Sequence, residues 1–463
     1  MLGEYRISGR RASEISASVE RGVSEGALEP GQVLPPMREL ATQLGVNPNT
    51  VAAAYRTLRE RGVIETAGRR GSRIRARPVS TARDAIRADV PAGVRDLSLG
   101  NPDTALLPPL RDALGYAAEQ ADARPRMYGE EAVDPVLARL AREGFDAAGV
   151  PGGPVAVASG SLDAIERALA VHLKPGDAVA VEDPGWGAML DLVPALGLRA
   201  VPVAVDDEGP LPDAVERALR GGARALVVTA RAQNPTGAAV SEERALRLRE
   251  ALRAYPSVLL VEDDHGHGIV DLPVHPVVGV RGSGAAGDGT GPRSSGTGAG
   301  GGPWVFVRSV SKGYGPDLRV AVLTGDAQTL DRVRGRQRLG PGWVSLLLQR
   351  AVVRLWETGA VDTAAVARSY GERRGALIAA LAERGIAARG RSGLNVWIPV
   401  GDETGVVSRL LHAGWAVAPG ARFRLGAGQG VRVTVSTLEP GEMADLARVF
   451  AAAVGEVVGR RYE

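Results

Sequence analysis

The sequence predicts a multidomain chain: a small head with a helix-turn-helix and a β-hairpin wing, then a large α/β domain that ends in a smaller α+β lobe. Three observations predict it. The 463 residues exceed what one core needs, since domains run to roughly 100 to 200 residues. Within residues 1–77, helical apolar spacing gives way to a hairpin pattern. From Asp96 onward, short apolar runs alternate with helical stretches, the signature of a mostly parallel sheet covered by helices.

In the head, Ile15, Val19 and Val23 recur at helical spacing between Ser13 and Glu25, and Gly26 is placed to end that helix. A second helix over about Met37 to Leu44 turns Leu40, Ala41 and Leu44 inward and stops at Gly45. Asn47 is the N-cap of a third, Pro48 fits its first position, and Val51, Tyr55 and Leu58 form the buried stripe. Val63–Thr66 and Ser72–Arg75 read as strands around Ala67-Gly68-Arg69-Arg70-Gly71, an arginine-bearing hairpin suited to a wing. Residues 78–95, with Pro78 and Pro91 and no sustained apolar pattern, read as a linker.

In the large domain, covering 96–463, the strands expected are Val155–Ala158, Ala178–Val181, Ala225–Val228, Val258–Val261, Trp304–Val307 and Val320–Leu323. From about residue 345, long helical patterns and the runs Val396–Ile398 and Val431–Val435 make the smaller lobe. Residues 281–302 are different in kind. Ten glycines between Gly282 and Gly302, mixed with Ser, Thr and Ala, offer no apolar area to offset ordering entropy, so a disordered surface insertion is expected. Its literal GxGxxG, Gly282 to Gly287, lacks the preceding strand and following helix of a dinucleotide site.

Hydrophobic residues at 44% and charged residues at 24% are ordinary for a globular chain. No run approaches the roughly 18 apolar residues of a membrane helix, and MLGEYRISGRR lacks a signal peptide's apolar stretch, so a cytoplasmic protein without a membrane partner is expected. The absence of cysteine excludes disulfides and thiolate chemistry. Charge is uneven. Residues 1–77 carry thirteen Arg against eight Glu, whereas the rest holds 43 basic and 45 acidic residues, which points the head toward nucleic acid.

Only Lys174 and Lys312 are lysines, against 54 arginines. A guanidinium cannot replace an amine that must deprotonate and form an imine, so a surviving lysine is a candidate for chemistry. Lys174, in HLKPGD, follows a helix and reads as solvated; Lys312 lies in SVSKGYGPDLR, directly after a strand, where open α/β sheets bind ligands. Ser309-x-x-Lys312 also matches the SxxK nucleophile of penicillin-binding enzymes. Gly313, Gly315 and Pro316 break the helix that motif needs, and no third lysine makes its KTG partner.

Ser-x-Ser-Lys followed seven residues later by Arg resembles the cofactor-lysine motif of fold-type I aminotransferases. The resemblance implies that Lys312 forms the imine with pyridoxal 5'-phosphate, with Ser309, Ser311 and Arg319 on the phosphate. Further positions match in order. Ser159-Gly160-Ser161-Leu162, between a strand and a helix, resembles the backbone cradle of the phosphate, through Gly160, Ser161 and Leu162. Trp186 in EDPGW resembles the aromatic that stacks on the pyridine ring, and Asn234 in QNPTG the partner of the phenolic oxygen. Asp263 in VEDDHGHG resembles the partner of the pyridinium nitrogen, with Asp264 as the fallback, and the pair Lys312 and Asp263 would carry any catalysis. Family members usually have Tyr where this chain has His265, a departure that sets efficient turnover in question and leaves the chain's standing as an enzyme undecided. His265 and His267 lack a further clear ligand, so no metal is expected. Gly100 in GNPD resembles the substrate-side loop, Arg432 in VRVTVS the carboxylate clamp, and Tyr128 the tyrosine that reaches a neighbouring subunit's phosphate, although Val133 and Leu137-Ala138 depart from the usual pattern after it.

LPPMRELATQLGVNPNTVAAAYRTLRERGVI, with Gly71 and Arg73 in the wing, resembles the GntR-type winged helix-turn-helix. Arg38, Asn49, Thr50, Arg56, Arg69, Arg70 and Arg73 are thereby the DNA-contact candidates. Together the halves resemble the MocR-type subfamily: a winged helix-turn-helix fused to a fold-type I aminotransferase-like domain. That implies a homodimeric regulator that binds double-stranded operator DNA and senses a small amino compound through aldimine exchange at Lys312. The alternatives are an active aminotransferase with an accessory DNA module, and a DNA-binding protein whose large domain only dimerises.

Overall fold

Val51, Ala54, Tyr55 and Leu58 fall on one stripe of the helix Pro48–Glu60, and all four are buried. They pack with Ile15 and Val19 of Ala12–Ser24 and with Leu40 and Ala41 of Met37–Leu44 to form the head's core. Gly45 adopts a left-handed φ of 63° and closes the second helix; two residues later the Asn47 side chain accepts from the Asn49 amide at 2.9 Å, capping the third. The Tyr55 hydroxyl donates to Pro35 O at 2.8 Å, which ties the third helix to the segment before the second. Ile64–Thr66 and Ser72–Ile74 pair antiparallel, Glu65 opposite Arg73, and Ile64 and Ile74 fill the core from the wing.

This computed structural model describes residues 5–24, 27–29, 31–60, 63–66, 71–74, 83, 90–279 and 302–459. The wing-tip candidates Arg69 and Arg70, most of the linker, and the glycine-rich insertion up to residue 301 lie outside the described residues.

The large unit is built on an eight-stranded sheet in the order Val155–Ala158, Ala321–Gly325, Trp304–Ser309, Leu259–Asp264, Ala223–Thr229, Ala178–Asp183, Arg199–Asp206, Gly209–Pro210. The four strands from Trp304–Ser309 to Ala178–Asp183 run parallel. Ala321–Gly325 is antiparallel to both neighbours, so the sheet is mixed. The central strands are buried on both faces, with Leu226, Val228, Leu260, Phe306 and Val322 fully enclosed, as continuous apolar runs require. Each such side chain contributes roughly 1.5–3 kcal/mol relative to exposure. The last two strands carry weaker signals: Arg199–Asp206 alternates exposed and buried positions, and Gly209–Pro210 is only two residues long.

Leu346–Glu357 lends Ala351, Val352, Val353 and Leu355 to this large core. The small lobe has its own core, with Leu377 and Leu381 of Thr363–Ala382, Val396 and Ile398 of Asn395–Pro399, Val431 and Val433 of Gly430–Thr434, and Phe450 of Met443–Gly459. It also takes Leu97, because Arg95–Asp96 pairs parallel with Trp415–Ala416.

Candidate functional site

The parallel strands all end on one edge, and each delivers part of the same cluster. Ala178–Asp183 leads to Trp186, Ala223–Thr229 to Asn234, Leu259–Asp264 to Asp263 and His265, and Trp304–Ser309 to Ser311 and Lys312. From the antiparallel strand's side comes Arg319, and from the small lobe's strand Gly430–Thr434 comes Arg432.

The Lys312 Nζ donates to Gly100 O at 2.5 Å. Gly100 has a φ of +37°, a conformation that side-chain-bearing residues rarely adopt, and a Cβ there would crowd the Arg432 guanidinium at 3.2 Å, so glycine suits a loop that touches both groups. Arg432, 3% exposed, donates to Asn234 Oδ1 at 3.0 Å and to Ser98 O at 2.6 Å, and its guanidinium lies 4.7 Å over the Phe423 ring. Thus Lys312, Gly100, Asn234 and Arg432 are brought together from four distant segments.

Where the resemblance expects a phosphate, Ser161 opens the twelve-residue helix Ser161–His172, with Leu162 as its second residue and Gly160 before it at a φ of +94°. A Cβ on Gly160 would lie 2.5 Å from Arg319 Nη2, and Arg319 donates to Ser159 O at 2.8 Å. Ser309 Oγ accepts from the Ser311 amide at 3.2 Å, while the buried Ser311 Oγ has no hydrogen-bond partner among the described residues.

Asp263, 2% exposed, accepts from Ser161 Oγ at 2.7 Å and meets His265 Nδ1 at 3.1 Å. Asp264, one residue on, points to the other face of the strand and is claimed by Arg231 and Arg308, so the fallback for the pyridinium partner is ruled out by side-chain alternation. The His265 ring is tilted against Trp186 at a centroid distance of 6.4 Å. Burial disfavours its charged form, but the hydrogen bond and charge of Asp263, helped by Ala232 O, hold it above its ordinary value. Beneath them Glu182 accepts from the Thr229 amide and hydroxyl and from Gln233; burial nevertheless pushes it up to about 7. Tyr128 stands apart, 91% exposed, with its ring edge on Trp343.

In the head, Arg38, Asn49 and Arg56 are exposed on the second and third helices, and Thr50 is half-buried. Arg73 is exposed but forms an ion pair with Glu65 across the wing strands, which occupies it in a way sequence alone did not show.

Residues 11–74 match the family described as bacterial regulatory proteins, gntR family, and residues 94–450 match aminotransferase class I and II. The chain is 37% identical to the vitamin B6 salvage pathway transcriptional repressor PtsJ of Salmonella typhimurium, over 95% of this chain and 98% of that one. The chain belongs to the MocR-type regulators. A second member, the pyridoxine biosynthesis regulator PdxR of Corynebacterium glutamicum, is 31% identical over 57% of this chain and 59% of its own length. The fold of the large unit is that of the aminotransferases: α-aminoadipate aminotransferase LysN from Thermus thermophilus matches with a TM-score of 0.66 and 23% identity, covering 82% of this chain and 96% of that one.

This MocR-type chain is thus a GntR-family transcriptional regulator whose cofactor is pyridoxal phosphate. The residues present fit that group. The unpartnered Ser311 hydroxyl, the Arg319 guanidinium and the amides that open Ser161–His172 suit a phosphate, and a buried carboxylate at a strand end suits a ring nitrogen. Sequence reasoning missed the bond from Ser161 to Asp263 and the Glu182–Thr229–Gln233 node, since both join segments far apart in the chain. It also missed Asp183, whose carboxylate accepts from the amides of Leu425, Gly426 and Ala427 and so pins a small-lobe loop beside Trp186.

Proposed function

We propose that this MocR-type chain acts as a cytoplasmic homodimer on operator DNA and that an amino acid entering beside Lys312 changes its hold on that DNA. One observation carries the choice of ligand. Both the Lys312 amine, which donates to the Gly100 carbonyl, and the Arg432 guanidinium, 3.2 Å from where a Gly100 Cβ would stand, approach this one residue. An imine-forming amine and a carboxylate clamp are thereby set around the same loop for one small amino acid to bridge. Pyridoxal phosphate supplies an aldehyde carbon that condenses with a primary amine. Lys312 provides one such amine, Arg432 orients an incoming carboxylate, and Asn234 holds the guanidinium in place. A ligand that bridges the large-lobe lysine and the small-lobe arginine favours one lobe arrangement over another, and that differential affinity is what shifts an equilibrium.

The dimer reading is supported by Met127, Tyr128 and Leu339, which are 64%, 91% and 85% exposed. From such a surface Tyr128 reaches a second copy's phosphate site. The names of PtsJ and PdxR favour genes of vitamin B6 supply as targets.

The test is a mobility-shift titration of the full chain on promoter fragments of vitamin B6 genes, with and without a panel of amino acids. A change in affinity with one of them supports the reading; no binding to any such fragment overturns the target assignment. The assembled Lys312, Asp263, Asn234 and Arg432 also favour a second reading, an aminotransferase with an accessory DNA module. Multiple turnover between an amino donor and a keto acceptor, with no effect on DNA binding, would select it.

A further inference from the structure

His265 sits between two acceptors. Its Nδ1 lies 3.1 Å from Asp263 Oδ2 and its Nε2 2.7 Å from Ala232 O. A neutral imidazole has one N–H, so one of these contacts would set a lone pair against an oxygen; only the doubly protonated ring donates to both. The proton shared with Asp263 belongs on the ring, whose ordinary value of 6.5 exceeds the carboxyl's.

Ala232 is itself unusual, a non-glycine residue with a φ of +56°. Both of its backbone groups are held: the N–H donates to Ser392 Oγ at 2.9 Å and the carbonyl accepts from His265. The next residues are Gln233 and Asn234, and Asn234 holds Arg432. His265 therefore joins two parts of the site that the chain separates by some thirty residues, the Asp263 carboxylate and the turn that carries Asn234.

Resting on the regulator reading above, we propose that His265 is a positioning residue held as an imidazolium, which braces Asp263 to the Ala232–Asn234 turn and neutralises part of the carboxylate charge that the cofactor's ring nitrogen would otherwise meet. A tyrosine in its place has one hydroxyl proton and cannot serve both acceptors. With the Asp263 charge already offset, the ring nitrogen keeps its proton less firmly and the electron sink weakens, so the site holds its ligand without rapid turnover. Three titratable groups face the ring: Asp263 on the strand that leads into it, Glu182 at the end of Ala178–Asp183, and Lys312, which opposes its charge. The raised ring keeps the brace at low pH and loses it as pH rises through its own titration.

The experiment uses the full chain loaded with pyridoxal phosphate, in wild type, His265→Phe, His265→Gln and His265→Tyr. Histidine side-chain NMR, assigned by the variants, reads the ring's protonation; visible absorption against pH reads the cofactor; and fluorescence titration reads its dissociation constant. Expected are two protonated ring nitrogens titrating above the ordinary value, a pH-dependent absorption change that His265→Phe lacks, and cofactor affinity about tenfold weaker in His265→Phe, the scale of losing a charge-assisted hydrogen bond. His265→Tyr should speed the conversion of an added amino acid. Where His265→Phe does not fold, His265→Gln, whose N–H donors share a single nitrogen and so reach only one of the two acceptors, should show a smaller loss in the same direction. A single neutral tautomer, or variants whose affinity and pH profile match wild type, overturns the proposal. DNA binding measured alongside separates the two failures, since a wild type that ignores amino acids defeats the regulator reading whatever the ring's charge.

Discussion

Asp263 and Asp264 are neighbours in the chain and face opposite sides of one strand, the first toward Ser161 and His265, the second into a pair of buried arginines. Asp264 is fully buried; Arg231 holds both of its oxygens, at 2.8 and 2.9 Å through Nη2 and at 3.0 Å through Nε, and Arg308 adds a contact at 3.1 Å. Burial opposes its charge, but the two guanidiniums prevail and keep it below the ordinary carboxyl value. Asp264→Asn leaves two buried cations with too little counter-charge and should destabilise the fold by about 3–5 kcal/mol. Asp263→Asn should spare the fold and weaken the cofactor. Denaturant unfolding of the two variants, beside a cofactor titration, checks the division.

A pH dependence follows from His267, which stacks on Tyr314 with Trp356 against its edge. Burial first, then the Arg308 charge, push it down to about 3 from an ordinary 6.5. The unfolded chain therefore binds the extra proton between those values, and stability should fall as pH drops through that window. His267→Phe should flatten that acid limb, as read by thermal melts from pH 7 to pH 4.

Lys312→Ala should abolish the visible absorption of the bound cofactor, whereas the exposed Lys174→Ala should leave it intact. A spectrum that survives Lys312→Ala would remove the lysine from the site. Ser311→Ala tests the phosphate side, because its hydroxyl is buried with no partner among the described residues and should be missed only when the cofactor is present.

On DNA, affinity should fall steeply with salt, and residues 96–463 alone should not bind. Arg38→Ala and Arg56→Ala, on exposed guanidiniums, should each lower the slope of log affinity against log salt by about one. Arg73→Ala should lower it less, since Glu65 already holds that side chain.

Much of this site was legible because its residues sit at the ends of apolar runs. Lys312, Asn234 and Trp186 each follow a strand that composition marks, Asp263 sits at the end of one, and the scarcity of lysine singled out Lys312. The strand Arg199–Asp206 was not legible, since it is half exposed and mixes polar with apolar positions. That Ala321–Gly325 runs antiparallel to its neighbours could not be told from composition, because it is as buried and apolar as they are. What His265 does depends on Ala232, whose left-handed backbone no propensity predicts.

Regulator and enzyme part ways at Arg432. Its guanidinium is already oriented by Asn234 and Ser98 O, and it approaches Gly100, whose carbonyl accepts from the Lys312 amine. An amino acid held by both must draw the small-lobe strand Gly430–Thr434 and the large-lobe lysine into one arrangement, and the loop pinned by Asp183 leads directly into that strand. Titrating amino acids while following cofactor absorbance and DNA anisotropy together should show both signals moving with one midpoint in wild type. In Arg432→Ala the midpoint of both should rise at least about tenfold, the scale of losing a charge-assisted contact to a carboxylate. Absorbance that still responds while DNA binding stays flat in wild type would show that ligand capture is not coupled to the head. Rapid multiple turnover in that case would leave the aminotransferase reading in its place.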